Sequence, residues 1–203
     1  MKSIECIKNE LYTMEKKQDW AAICNYLLVE WKQQKENPEL CTLFVQQSMT
    51  YLLASDSGDC ALSCCSSNWG NESLRLYLNC FIEAVNYGMT HHLHNKYFLW
   101  QVCYYLFHFS TYYPILSVIE NDKLETRQNE LLALARTQFA ESNLFLPWLM
   151  GVDYYDWLHN MGSDKLVRVH AEIQEFHLGK NAVDEDVKDL FLLGSDSAVK
   201  KGI

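Results

Sequence analysis

The sequence contains few of the residues that interrupt regular secondary structure. Only eight glycines and three prolines occur among its 203 residues, whereas 49% of the residues are hydrophobic and 13% are aromatic. This composition is typical of an ordered globular chain and argues against a disordered, collagen-like or low-complexity protein. No stretch shows the alternating pattern and turn residues of a β-hairpin. We therefore expect an all-α protein.

The sequence also lacks an apolar run of the length that a membrane-spanning helix needs, which is about 20 residues. The closest candidate, "MTHHLHNKYFLWQVCYYLFHF" at 89–109, is interrupted by Gln101 and His108. The opening "MKSIECIKNELYTMEKK" has the pattern of an amphipathic helix and not the apolar core of a secretion signal. We expect a cytoplasmic protein whose eight cysteines are reduced and mostly act as small buried hydrophobic residues.

Basic residues are in the minority. The chain has 26 acidic and 17 basic residues, which gives a formal net charge of -9. The only basic clusters are two residues long, Lys16-Lys17 and Lys200-Lys201. Because the nucleic-acid backbone is itself negative, we expect no nucleic-acid partner, and a basic protein is the natural complement.

Common catalytic motifs are absent as well. The sequence contains no G-x-S-x-G elbow, no H-E-x-x-H helix, no G-x-x-x-x-G-K-[ST] loop and no G-x-G-x-x-G fingerprint. This absence favours a function that is not enzymatic, and we expect no cofactor.

Two residue pairs keep an enzyme open as the alternative, either a metal-dependent hydrolase or a diphosphate-handling enzyme. His91 and His94 would share one face of a helix, although a third ligand is missing and no metal is therefore expected. Asp153 and Asp156 have the D-x-x-D spacing that lets two carboxylates chelate Mg²⁺ carrying a diphosphate. That device resembles the one in all-α terpenoid synthases, but their second metal-binding motif does not occur in this chain.

Apolar periodicity and capping residues divide the chain into about eight or nine helices with short loops, which implies antiparallel neighbours. We expect one helical domain over 1–194, a loop or hinge at 55–70 and a frayed tail at 195–203. The loop segment is rich in Ser, Gly and Asp, the residues that favour turns.

The segment at 89–109 is predicted to be the central buried helix, because it is apolar on nearly every face. A preceding helix is expected to stop at Gly88. Leu99, Val102 and Leu106 are expected to lie in the core, and the histidines to form a solvated first turn.

Pro114 in "YYPIL" and Pro147 in "FLPWL" lie 33 residues apart, each after aromatic or apolar residues. This spacing resembles that of tetratricopeptide-like helical hairpins, although the full motif of that repeat is not present. The resemblance implies antiparallel helical hairpins in a solenoid-like or irregular bundle. As a class, small acidic helical proteins without catalytic motifs also resemble bacterial immunity proteins, which neutralise toxins that are often basic nucleases.

These observations predict a non-catalytic protein-binding module, with an immunity- or antitoxin-type inhibitor of a basic protein as its specific form. Aromatic residues rimmed by charge of one sign are typical of docking surfaces. The expected partner-binding residues are Asp153, Tyr154, Asp156, Trp157, Asp184, Glu185 and Asp186.

Overall fold

The computed structural model confirms the all-α prediction, because its described residues form helices and turns and no strand. Within these residues, no helix combines the length and the apolar character needed to span a membrane. The chain divides into two compact units, Met1–Ala133 and Leu134–Ile203. The residues that the structure describes are 2–15, 17, 20–55, 72–108, 110, 115, 117–149, 168, 172 and 176.

Six helices of 12 to 20 residues account for most of the described chain. A four-residue helix and two 3₁₀ turns, Asn121–Lys123 and Asn143–Phe145, also lie within it. Nearly all of the predicted loop at 55–70 and the whole predicted tail at 195–203 lie outside the described residues. The helices are α1 (Ile4–Glu15), α2 (Trp20–Gln33), α3 (Pro38–Ser55), α4 (Glu72–His91), α5 (Lys96–His108), α6 (Leu124–Gln138) and α7 (Leu146–Leu149).

Successive helices from α2 to α5 run antiparallel. In each pair, residues near the start of one helix contact residues near the end of the next helix, and residues near the end of the first contact residues near the start of the second. The contacts that show this are Cys24–Gln47 and Trp31–Phe44, Cys41–Ala84 and Tyr51–Tyr77, and Phe81–Tyr105 and Gly88–Phe98.

The centre of the first unit is α3, which packs against α2, α4 and α5. Every residue of α3 from position 40 to position 49 is buried. The prediction that the segment at 89–109 forms the central helix is wrong in this respect. The predicted core residues of α5 are confirmed, since Leu99, Val102 and Leu106 are 0%, 3% and 2% exposed.

Two threonines of α3 are accommodated by hydrogen bonds to their own helix. The hydroxyls of Thr42 and Thr50 donate to the carbonyl oxygens four residues earlier, at 2.7 and 3.1 Å. The Asn37 side chain caps the helix by accepting from the backbone N–H groups of Glu39 and Leu40 at 3.0 and 3.2 Å. Thr42 and Thr50 are therefore paired within the helix, whereas the buried Ser48 hydroxyl of α3 has no hydrogen-bond partner in the described part of the chain.

Gly88 does not end a helix, contrary to the sequence prediction. Helix α4 continues to His91, and Gly88 is buried within it against the ring of Phe98. The chain turns over residues 92–95, and Asn95 then caps α5 by accepting from the N–H groups of Tyr97 and Phe98 at 3.0 Å. Close packing and not a left-handed backbone explains this glycine.

In the second unit, Glu172 holds the 3₁₀ turn before α7. Its carboxylate accepts from the Ser142 hydroxyl at 2.7 Å and from the Asn143 backbone N–H at 2.8 Å. The ring of Phe145 stacks on Phe139 at 5.9 Å between centroids. These bonds satisfy N–H groups that a helix start would otherwise leave without partners.

Candidate functional site

The acidic and aromatic surface that the sequence predicts lies outside the described residues. Asp153 and Asp156, the pair with D-x-x-D spacing, belong to this surface and also lie outside the described residues. The partner-binding role of this surface therefore stays a prediction for all seven of its residues: Asp153, Tyr154, Asp156, Trp157, Asp184, Glu185 and Asp186.

The histidines are not arranged as the sequence predicts. His91 is the last residue of α4, whereas His94 lies in the turn that follows, so the two do not share a helix face. Ring centroids of His92 and His94 are 6.3 Å apart. Among the described residues, no group of three or more His, Cys, Asp or Glu side chains could hold a metal ion.

His92 is buried instead of solvated, with 2% of its surface exposed. Its Nε2 lies 2.9 Å from the carbonyl oxygen of Lys35, so Nε2–H donates to that oxygen. The imidazole ring also packs edge-on against Phe98, with 6.2 Å between centroids. His92 thus joins the turn after α4 to the turn after α2, which is a structural role.

Lys35 lies in a polar and aromatic cluster beside His92. Its ammonium is 2.6 Å from a carboxylate oxygen of Glu83 and 4.9 Å from the centroid of the Trp31 ring. The Tyr87 hydroxyl donates to Glu36, and this hydrogen bond raises the pKa of Tyr87. These contacts join the end of α2 to α4 and leave no free nucleophile among these side chains.

Buried cysteines are poor candidates for nucleophilic chemistry. Burial raises the pKa of Cys24 and of Cys41 to about 12, and it also raises the pKa of Cys103. Because the thiolate is the reactive form, these thiols are inert near neutral pH. Cys6 differs, since it is exposed on α1 and donates to Glu10 at 3.5 Å.

A group of opposite charges lies between α1 and α2, and we name it the Lys2 site: Lys2, Glu10, Tyr26 and Glu30. The Lys2 ammonium is 2.6 Å from Glu10 Oε2 and 3.8 Å from Glu30 Oε1. It also lies 3.4 Å from the Tyr26 hydroxyl and 4.8 Å from the centroid of the Tyr26 ring. An ammonium held by two carboxylates and an aromatic face is a cation-binding arrangement.

Hydrogen bonding fixes the charges in the Lys2 site. The hydrogen bond to Glu10 raises the pKa of Lys2, and hydrogen bonds from Lys2 and Tyr26 lower the pKa of Glu10. Burial, followed by the hydrogen bond to Glu10, raises the pKa of the Tyr26 hydroxyl. At neutral pH, Lys2 is therefore cationic, Glu10 is anionic and Tyr26 is neutral.

A groove of about 700 Å³ runs along the outer face of α1. Glu10 belongs both to this groove and to the Lys2 site. Apolar atoms make up the larger share of the groove's surface, although most of the described residues that line it carry a polar group: Ser3, Glu5, Cys6, Asn9, Glu10, Thr13, Met14 and Lys17.

The sequence contains a partial signal for the Lys2 site. Cys6 and Glu10 are four residues apart in α1, as are Tyr26 and Glu30 in α2, so each pair shares a helix face. The sequence does not show that these two faces meet, because their contact depends on how α1 packs against α2. The site was therefore missed in the sequence analysis.

No family model, no curated protein and no solved structure matches this chain.

Proposed function

We propose that this chain is a non-catalytic protein-binding module, and that its partner is a basic protein. The observation that carries the proposal is the groove on α1, to which Glu5 and Glu10 contribute carboxylates and Lys17 a single ammonium. A groove of this kind on a chain of net charge -9 attracts a cationic partner and repels a nucleic acid.

Ion pairs between described residues engage five of the 17 basic side chains and six carboxylates, so the chain keeps an excess of acidic charge. Glu5, by contrast, has no ion-pair partner among the residues that the structure describes. The ion pairs between described residues are Lys2–Glu10, Lys2–Glu30, Lys8–Glu39, Lys35–Glu83, Lys123–Glu120 and Arg127–Glu130. Charge that remains for a partner is predominantly acidic, which favours fast association with a basic protein.

The specific form of this proposal is an immunity- or antitoxin-type inhibitor that acts in the cytoplasm. We also propose about eight or nine helices in all, stacked as antiparallel hairpins. In this arrangement the acidic and aromatic residues around Asp153, Tyr154, Asp156 and Trp157 form a second contact with the partner, extended by Asp184, Glu185 and Asp186. Aromatic side chains would supply the buried anchors that slow dissociation.

A capture experiment tests the proposal. The chain is immobilised, exposed at low ionic strength to a lysate of the organism that encodes it, and the retained proteins are identified by mass spectrometry. We expect a basic protein that is released as sodium chloride rises from roughly 0.05 M to roughly 0.5 M, because salt screens exposed charges.

Charge-reversed variants make this experiment specific. The variant Asp153→Lys/Asp156→Lys should retain much less of the basic protein. The matched control Glu125→Lys/Glu141→Lys changes the net charge equally at exposed positions elsewhere. Equal losses in both variants, or no basic protein at all, would contradict the proposal.

A further inference from the structure

We propose that the Lys2 site receives a lysine side chain of the basic partner, and that Lys2 itself holds this place in the free protein. The inference rests on the proposed function and deepens it, since it names the chemical group that the partner presents. It is carried by three observations: a buried carboxylate, an ammonium-binding geometry and an adjoining groove.

Glu30 is the buried carboxylate. Its side chain is only 10% exposed, and its contact with the Lys2 ammonium is 3.8 Å long, beyond hydrogen-bond length. No hydrogen bond to this carboxylate comes from the described part of the chain. A carboxylate with so little exposure is favoured by a nearby cation, and the Lys2 ammonium supplies that cation in the free protein.

The surroundings of the cation select an ammonium. Glu10 is within hydrogen-bond distance of the Lys2 ammonium, and the face of the Tyr26 ring lies 4.8 Å away. A compact ammonium that contacts a carboxylate and an aromatic face at once gains both hydrogen bonding and cation–π attraction. The partner group that fits best is therefore the side chain of a lysine.

Lys2 can leave the site without unfolding α1. Its side chain is 42% exposed, so it already reaches solvent. Its backbone is held separately, because Gln34 Nε2 donates to the Lys2 carbonyl oxygen at 3.3 Å. The cap of α1 is also independent of this side chain, since the Ser3 hydroxyl accepts from the Cys6 N–H at 3.3 Å.

The groove on α1 provides the route to the site. Glu10 lines the groove and binds Lys2, so a chain that lies in the groove can place a lysine beside Glu10. Exchange of one ammonium for another keeps the charge balance around Glu30. The partner's lysine must displace Lys2, so Lys2 lowers the affinity of the site for a lysine that makes no other contact.

A rescue experiment tests the ammonium site in the full chain. Lys2→Met removes the ammonium but keeps an apolar stem, and we expect a lower Tm than for wild type. Addition of n-butylammonium chloride should raise the Tm of Lys2→Met more than the same concentration of sodium chloride does. The control Lys123→Met, which removes an equally charged but exposed side chain, should show no such difference.

Lys2→Met can be too unstable to measure, because it leaves the Glu30 carboxylate without its cation. The double variant Lys2→Met/Glu30→Gln avoids this, because a neutral amide at position 30 needs no cation. This variant should respond to n-butylammonium less than Lys2→Met does, since only Glu10 and Tyr26 remain to hold the cation. Equal responses of Lys2→Met and Lys123→Met, or an unchanged response in the double variant, would overturn the inference.

A peptide titration tests whether a lysine side chain from another molecule binds the Lys2 site. Capped Gly-Lys-Gly, titrated into the chain and followed by the NMR signals of the Tyr26 ring, should bind Lys2→Met several-fold more tightly than wild type. Capped Gly-Met-Gly should not bind. Equal affinity of the lysine peptide for both proteins would overturn the inference.

The two proposals fail separately. If the chain captures a basic protein whose affinity is the same for wild type and Lys2→Met, the lysine exchange is wrong and the proposed function stands. If no basic protein is captured while n-butylammonium still stabilises Lys2→Met, the ammonium site stands and the proposed function is wrong.

Discussion

Gly88 of α4 lies directly against the ring of Phe98 of α5, and a Cβ atom at position 88 would overlap that ring. We expect Gly88→Ala to lower the free energy of unfolding by about 1 to 3 kcal/mol through overpacking. The sign is informative, because alanine is the better helix former and would stabilise an unconstrained helix. Urea unfolding monitored by circular dichroism measures the change.

Phe98→Leu is the control for this contact, since a smaller side chain leaves room for the alanine. Gly88→Ala should therefore cost less in the Phe98→Leu background than in wild type. Identical costs in the two backgrounds would show that the contact does not restrict position 88.

The histidines around the turn after α4 should differ in their contribution to stability. His92→Ala removes a buried ring and its hydrogen bond to Lys35, and we expect a loss of about 1 to 3 kcal/mol. His91→Ala and His94→Ala, at exposed positions, should stay within about 0.5 kcal/mol of wild type. Chemical denaturation of the three variants measures this, and equal effects would contradict the assignment.

Elemental analysis of the same purified protein addresses the metal alternative. We expect no stoichiometric zinc, because a structural zinc ion normally has four ligands. One tightly held zinc per chain that is lost in His91→Ala would show that a metal site exists.

Leu106→Ala should be strongly destabilising, because Leu106 is 2% exposed in the core. The expected loss is about 2 to 5 kcal/mol from lost transfer energy and the remaining cavity. Leu76→Ala is the matched control, since Leu76 is 52% exposed and should change stability little. A cost below about 1 kcal/mol for Leu106→Ala, measured by urea unfolding, would mean that this face of α5 is not core.

Thiol alkylation should separate exposed from buried cysteines. In the native protein we expect iodoacetamide to modify Cys6, while Cys24, Cys41 and Cys103 react only after unfolding. Peptide mass mapping before and after denaturation identifies each modified residue. Native labelling of Cys103 as fast as that of Cys6 would contradict its burial.

The free energy of unfolding should fall at alkaline pH, because Cys24 and Cys41 are buried. Burial raises the pKa of Cys24 and Cys41 from 9.0 to about 12, so the unfolded chain loses these protons first. Their contribution to stability is fully present below pH 9.0 and is lost as the pH rises toward 12. Within this pH window, each thiol lowers the free energy of unfolding by up to about 1.4 kcal/mol per pH unit. Cys24→Ala should show a shallower decline than wild type, and equal slopes would argue against the effect.

The sequence was sufficient to predict the helical class and the buried face of α5, because both depend on local composition and periodicity. It was misleading about the central helix. Gln46, Gln47 and Ser48 give α3 an apparently polar segment, yet all three are buried. Which helix is surrounded depends on packing between elements that are distant in the chain, and periodicity does not report that.

The turn between α4 and α5 shows a second limit of the sequence. Gly88 resembles a helix stop, but its small size is required by Phe98 ten residues later. The actual start of α5 is marked by Asn95, a typical capping residue that could have been recognised. The Lys2 site depends likewise on contact between two helices, and the spacing of Tyr26 and Glu30 alone could not reveal it.

Attraction of a basic partner to an acidic surface is the central claim, and the salt dependence of association tests it most directly. Once the partner is isolated, its association rate with wild type is measured by stopped flow over a range of sodium chloride concentrations. The rate should fall steeply with salt, because electrostatic steering is screened over a Debye length of about 10 Å at 0.1 M. The variant Asp153→Lys/Asp156→Lys should associate more slowly and depend less on salt. An association rate that neither salt nor this charge reversal changes would contradict the claim.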